Sequence, residues 1–582
     1  MHAPGPTSEG APAAPAARRV GPVLEGALVF GLGCLLALVV RRPQELSSTV
    51  PGDAGDPVLL AWILSWPAHA LTSGKDLWDA NPFAPLPNAL AFSDPLLGYL
   101  PFGLVGEGPG AALVRYNVVL LFTYALAFAG TWVLVRQLGL GRAAALVAAT
   151  AFAVNPWRAA MASHLQVLSS GGAPLALAML ARGHGVRLRV GGGPVRPGWV
   201  LAGWATAAWH FSISPPIGLQ LAYLLAVCTA VAIGRTLLRA QRGAGWPGRR
   251  LLVADGLGLV LFLGAGALLA QPFLQAVEDH PEARRSVAEV ALFSPSVKGL
   301  VTAPPSSWAW GRHTEGLREG VVAFNEEALF PGLVVTVLAA AGLAAGPWSG
   351  RRRVLVAGAV VVIAVCALGT EGPLGGRLGY LLLYEHAPGW QGVRTPGRLV
   401  NTGWLGLALL AAHGVEVLLR RVRRLAGTDA ARARSAAVLL AFGLSAVVLL
   451  EGLDTQPLAP VRAVPPVVLA DLPAPVMVLP SEAHLDYAVM LWSTDRFPRV
   501  VNGSSGFTPR LQEELRAAAA RLPDLDALDR LRAAGVASLV LLPDALPGTR
   551  YERLDARTLA GLPGVAVEPR GVVVVVRLDL AP

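Results

Sequence analysis

Lysine is nearly missing from this chain. It occurs only at Lys75 and Lys298 in 582 residues, so the formal net charge of +10 is carried almost entirely by arginine. Charge of either sign is scarce as well: 15% of residues are Asp, Glu, Lys or Arg, against about 25% in an ordinary soluble domain. Cysteine is scarcer still. Cys34, Cys228 and Cys366 each lie inside an apolar run, far from one another. That excludes a disulfide framework, a thiolate zinc site and a paired redox motif, and leaves them as small buried hydrophobes. No Walker-type glycine loop, zinc-ligand spacing or nucleophile elbow occurs. The arginines stand in short clusters between apolar runs rather than along one polar face, which argues against a nucleic-acid partner.

What the chain does have is hydrophobicity. Apolar residues make up 54% of it, and the mean hydropathy is +0.53. Apolar stretches long enough for a membrane span, roughly 17–25 residues, or nearly so, fall near 22–40, 111–135, 142–160, 163–181, 198–213, 215–234, 251–272, 328–347, 353–369, 398–418 and 435–453. The expected fold is therefore a polytopic α-helical membrane protein of about eleven spans. Residues 1–21, rich in Ala and Pro, read as a disordered cytoplasmic tail, and the first apolar stretch as a retained anchor. Arginines collect at 136–142, 182–196, 235–250, 351–353 and 420–434, which are alternate connections between spans. The positive-inside rule then places the N-terminus in the cytoplasm and the C-terminus outside. Arg41 and Arg42 are the exception, at the outer end of the first span, where they can snorkel to headgroups. The arginine, alanine, glycine and proline richness points to a GC-rich bacterial genome and hence to a bacterial plasma membrane.

The transmembrane region is expected to run over 22–453, with two long outer loops at 43–110 and 273–327. Loops of that length usually carry function. The first holds the acids Glu45, Asp53, Asp56, Asp76, Asp79, Asp94 and Glu107, and two half-apolar stretches that read as helices lying in the membrane interface. A Pro-rich linker follows at 454–470. Residues 471–582 alternate strand runs, such as PVMVLP, ASLVLLP and GVVVVVRLD, with the amphipathic helices TPRLQEELRAAAARL and DLDALDRLRAAG. They predict a small extracytoplasmic α/β domain that folds by itself and has no acid/base cluster of its own.

Five motifs carry a resemblance: GDPVLLAW from Gly55, WDANPFAPLPNALAFSDPLLGYLP from Trp78, NPWRAAMASHLQ from Asn155, EEALFPG from Glu326 and VRTPGRLV from Val393, with MLWSTDRFPRVVNGSSGF from Met490 in the tail. Together they resemble a bacterial group within the GT-C superfamily, membrane glycosyltransferases that use polyprenyl-phosphate sugars. The resemblance implies transfer of a sugar from a polyprenyl-phosphate donor to a cell-envelope glycan, lipid or protein acceptor, with membrane lipids as surroundings. It also implies an acid early in the first outer loop. Asp56 matches that place, as general base, with Asp94 holding it or a divalent cation. Transfer from a lipid phosphate needs a base at the acceptor and cations at the departing phosphate. Arg158, Arg394 and Arg398 are the candidate phosphate partners, because a guanidinium fork suits phosphate oxygens. His164, Glu326 and Glu327, at the ends of spans, complete the candidate set. Each has a plain structural alternative. Asp56 and Asp94 precede prolines and could cap helices. Asp79 and Asn81 suit an Asx turn. Arg394 and Arg398 could anchor to headgroups, His164 could be a satisfied interfacial histidine, and tryptophans such as Trp132, Trp157, Trp199 and Trp348 suit an aromatic belt. A non-catalytic scaffold or a transporter of lipid-linked glycan is the competing function. It would let the acids point apart, whereas an enzyme needs them to converge.

Overall fold

The structure, a computed structural model, describes residues 22–188, 193–243 and 246–579. The expected tail at 1–21 lies outside the described residues. Among the described residues six helices are long and apolar enough to cross a membrane: Leu24–Arg41, Gly108–Gln137, Pro215–Gln241, Arg249–Asp279, Pro396–Leu425 and Ala430–Glu451. They expose large aliphatic side chains such as Val227, Val260, Leu268 and Leu439 along their flanks, as a lipid-facing surface requires. The other expected spans correspond to shorter helices, Arg142–Ala153, Gly172–Gly183, Pro197–Ile213, Leu333–Ala345 and Gly350–Ala367. The apolar run at 142–181 is broken because Asn155 caps a short helix over Pro156–Ala160, and a second short helix, Leu165–Leu168, gives way to Ser169, Ser170 and Gly171. The chain is a largely helical, multi-pass membrane protein with a small sheet-containing domain at its C-terminal end.

That domain is built on a four-stranded sheet. Its strands are β3 (Val476–Leu479), β4 (Ser538–Leu541), β5 (Val565–Arg570) and β6 (Val573–Leu578), in the order β3-β4-β6-β5. β3 and β4 run parallel, and the other pairs antiparallel. Every residue of β3 and β4 is buried, as expected for strands covered on both faces. The helices Arg510–Ala520 and Leu525–Ala533 lie where their period placed them. The helix Ala483–Trp492 was not anticipated. Its buried residues include Asp486, so its apolar stripe is interrupted by a charge.

The domain is not separate from the membrane part. β1 (Thr49–Pro51), at the start of the first long loop, pairs antiparallel with β2 (Leu458–Pro460), inside the expected linker. Farther along the same loop, Asn81 donates from Nδ2 to Ser493 Oγ at 2.9 Å and to the Pro498 carbonyl at 2.8 Å, while its Oδ1 accepts from Trp62 Nε1 at 3.0 Å. The backbone N–H of Ala84 donates to Val500 O, and that of Val500 to Asn81 O. Phe497 stacks on His69 with ring centroids 4.3 Å apart. The first loop thus hydrogen-bonds along the domain at Val500. The helices expected to lie in the membrane interface are corrected. Pro57 through Ile63 are all buried in the helix Asp56–Ile63, which is packed by protein on every side.

Candidate functional site

The sequence motifs converge at the end of the helical bundle that carries the C-terminal domain. Asp56 is the first residue of the helix Asp56–Ile63, and Gly55 occupies the capping position. The neighbouring Asp53 accepts from the Gly55 N–H at 3.0 Å, so Asp53 does the local turn-making and Asp56 is spared it. Asp56 Oδ2 instead stands 3.4 Å from His164 Nε2, with 38% of its side chain exposed. His164 Nε2 is also 3.9 Å from Glu326 Oε1, and its Nδ1 lies 3.2 Å from Ser163 Oγ. Gly52, at φ +78°, lets the first loop pass against Ser163; a Cβ there would sit 3.2 Å from Ser163 Cβ.

Glu326 is buried, and the Arg398 guanidinium grips it in two-pronged fashion: Nε donates to Oε1 at 3.1 Å and to Oε2 at 3.0 Å, and Nη2 donates to Oε1. The pairing depends on a close backbone approach. A Cβ on Gly397 would lie 2.4 Å from the Glu326 carbonyl oxygen, so only glycine lets the two loops meet. The carbonyl of Arg398 accepts from Gln220 Nε2, and Gln220 Oε1 accepts from Thr402, which ties the arginine's backbone to two helices.

Electrostatics follow from this enclosure. Burial alone would raise the Glu326 carboxyl, but Arg398, with lesser help from His164 and Arg394, holds it below the ordinary carboxylate range. Burial and the Arg398 charge keep His164 below its usual value despite Asp56 and Glu326, which favours the neutral ring at pH 7. Asp94 is pushed up to about 6 by burial, against the opposing pull of the Ser214 hydroxyl and Arg398, and with a smaller upward push from Asp56. Glu326 and Asp94, both within reach of the Arg398 charge, are thus shifted in opposite directions, the usual precondition for dividing proton-handling roles.

Asp56, Asp94, His164, Glu326 and Arg398 therefore influence one another directly. The other candidates stand differently. Glu327 accepts from the backbone N–H groups of Val322 and Ala323, at 3.1 and 2.8 Å, and so closes its own loop. Arg158 is only 1% exposed; it donates to Ser170 Oγ and Leu168 O and lies over the Tyr124 ring at 5.1 Å. Arg394 pairs with Glu289 at 2.7 Å, and Arg285 reaches the same carboxylate oxygen at 3.1 Å and the Gly506 carbonyl at 3.0 Å. Two guanidiniums thus share one carboxylate and keep a net positive charge beside the tail domain. Arg285 and Glu289 carried no signal in the sequence beyond an i,i+4 pair in a loop. Tyr487, from the unanticipated helix, also reaches this region. Its Cε2 would lie 3.5 Å from a Cβ on Gly55. Among the described residues, no group of three or more His, Cys, Asp or Glu side chains is placed to hold a metal ion.

No family model matches the chain, and no curated protein matches it. Solved structures do resemble it. Arabinofuranosyltransferase AftD from Mycobacteria aligns over 95% of this chain at a TM-score of 0.50 and 16% identity, and this chain spans 40% of the length of that one. ArnT from Cupriavidus metallidurans aligns over 94% of this chain and 97% of its own at a TM-score of 0.46 and 17% identity. The Archaeoglobus fulgidus oligosaccharyltransferase aligns over 90% of this chain and 70% of its own at 0.43 and 12%. At such identities the likeness is one of fold alone.

Proposed function

We propose that the protein is a membrane glycosyltransferase that moves a sugar from a polyprenyl-phosphate donor to a cell-envelope acceptor, on the outer side of a bacterial plasma membrane. The observation that carries this reading is the chain of contacts Asp56–His164–Glu326–Arg398, in which acids and bases from four distant segments meet at one end of the bundle. In a scaffold these residues would be free to serve separate loops.

Asp56 is the general base. It is half-exposed, does not cap its helix, and has His164 as its polar neighbour. It takes the proton of the acceptor hydroxyl as that oxygen attacks the anomeric carbon of the donor. The bond from that carbon to the phosphate oxygen breaks, the electron pair leaves with the polyprenyl phosphate, and the configuration inverts. Arg398, held in place by Glu326, and Arg394, left with surplus positive charge by the Arg285–Glu289 arrangement, face the departing phosphate. Asp94 tempers the charge between Asp56 and Arg398. Arg158, engaged by Ser170, Leu168 and Tyr124, supports the helix packing beneath rather than the phosphate. The N-terminus lies in the cytoplasm and the tail domain outside. Reporter fusions at Arg239 and Arg557 should therefore report opposite compartments, and a shared compartment would overturn that topology. The decisive experiment compares envelope glycans from a deletion strain complemented with wild type or with Asp56→Asn. Loss of the same glycan in the deletion and in the variant, at equal protein abundance, supports the transferase. Full complementation by the variant would transfer the case to a scaffold or a transporter.

A further inference from the structure

A second cavity lies outside the acid cluster. It has a volume of about 620 Å³ and opens between residues 76–97 of the first long loop and the C-terminal third of the helix Arg249–Asp279, beside Pro272. None of Asp56, Asp94, His164, Glu326 or Arg398 lines it. Its polar wall is Asp76, Asp79, Asn88, Gln271 and Gln275, next to the Trp78 ring. Its other wall is aliphatic, from Leu268 and Leu269, and Leu268 is 72% exposed on the flank of the bundle. The polar wall is built, not fluid. Asp76 Oδ1 accepts from the Trp78 N–H at 2.7 Å, and Asp79 Oδ1 from the Asn88 N–H at 2.8 Å. Trp78 packs edge-on against Phe273 of the facing helix, with centroids 6.0 Å apart.

The lining states what it can hold. No lysine or arginine contributes to it, and two carboxylates repel a phosphate, so the phosphate end of a donor is the wrong occupant. Carboxylate and amide groups alternate as acceptors and donors, which suits vicinal hydroxyls, and a tryptophan face suits the C–H side of a sugar ring. The leucine wall reaches the lipid-facing flank, so the occupant arrives with a hydrocarbon part. We infer that this cavity binds the uncharged sugar headgroup of a glycolipid and that the glycolipid is the acceptor. The acceptor assignment rests on the transferase reading above; the binding does not. Leu97 lines the cavity, and Asp94 stands three residues before it in the chain.

The test uses the full chain in nanodiscs, read by native mass spectrometry with three probes: monoglucosyl diacylglycerol, phosphatidylglycerol and undecaprenyl phosphate. Gln271 and Gln275 are exposed and lie on a helix flank, so the double variant Gln271→Leu/Gln275→Leu should fold. It should bind the glucolipid about tenfold or more weakly, the loss of one or two hydrogen bonds, with unchanged binding of undecaprenyl phosphate. Wild-type preference for phosphatidylglycerol over the glucolipid, or undiminished glucolipid binding by the double variant, overturns the site. Glucolipid binding that depends on the glutamines, in a protein for which Asp56→Asn complements fully, keeps the site and removes the transferase reading.

Discussion

Two arginine–carboxylate clusters invite comparison, one inside the C-terminal domain and one at the end of the bundle beneath it. In the domain, Asp486 is fully buried. It accepts from Ser481 at 3.1 and 3.0 Å, from Asn502 at 2.6 Å, from Arg516 at 2.6 Å, and at 3.4 Å from both Gln512 and the Gly503 N–H. Every lone pair is spoken for. At the bundle end, Arg398 holds Glu326 through two guanidinium nitrogens, whereas Arg516 reaches Asp486 through one, and the adjoining Asp56 has a 3.4 Å approach from His164 and keeps an open face. Both clusters bury charge and both fix a fold. Only one leaves acceptor capacity open to its surroundings, at Asp56. Saturation marks a structural carboxylate, and incompleteness beside a rigid pair marks a chemical one.

Four experiments press on that contrast. The largest effect should come from Asp56→Asn, which keeps shape while removing basicity. Transfer should fall by about 10²–10⁴-fold, the typical worth of a placed base, with the melting temperature within error of wild type. A matching fall in stability would erase the distinction. Asp486→Asn should do the reverse. Leaving Arg516 without its charge partner costs about 3–5 kcal/mol in buried settings, seen in thermal unfolding and abundance, while the transfer rate per folded molecule stays put.

Asn81→Ala sits between the two cases, because Asn81 joins Trp62, in the helix that Asp56 begins, to Ser493 and Pro498 of the domain. It should lower stability by about 1–3 kcal/mol through unsatisfied partners and lower transfer with it. A stability loss without a rate loss would show that the domain's position is irrelevant to the site.

The smallest effect is a pH limb. With its carboxyl pushed up to about 6 by burial, Asp94 is charged above that value and mostly neutral at pH 5. If its charge steadies Arg398, transfer should rise roughly tenfold from pH 5 to 7, and Asp94→Asn should flatten the rise. The sign for stability is opposite. A carboxyl whose folded value is raised confers stability that is complete below the ordinary range near 3.8 and is lost as pH rises through about 6. Asp94→Asn should therefore remove a slight destabilisation at pH 7.

Much of this architecture could be read from the chain. The apolar runs, the C-terminal strands β3, β4 and β6, and the helices at 510–520 and 525–533 all follow from local periodicity. β5 escaped because Glu568, Pro569 and Arg570 hide its pattern, and its burial alternates only weakly. The helix Ala483–Trp492 escaped because Asp486 sits on its buried side. Asp56, Asp94, Arg398 and Glu326 could be named as candidates by residue type and motif. Nothing local said that Glu326 would be the partner of Arg398, or that Arg285 and Glu289 would stand with Arg394.

By itself the sequence determined which segments seek lipid and which seek water, because transfer of a side chain between solvents is a property of that side chain and its near neighbours. It also determined the types of chemistry on offer. The tertiary structure decided which acids stay open and which are saturated. That choice depends on contacts between residues far apart in the chain: 72 positions separate Glu326 from Arg398, and 412 separate Asn81 from Ser493. Such pairings are set by backbone close approach, as at Gly397 against Glu326, and by strand edges completed across the molecule. Their energies are collective, and no window of neighbouring residues contains them.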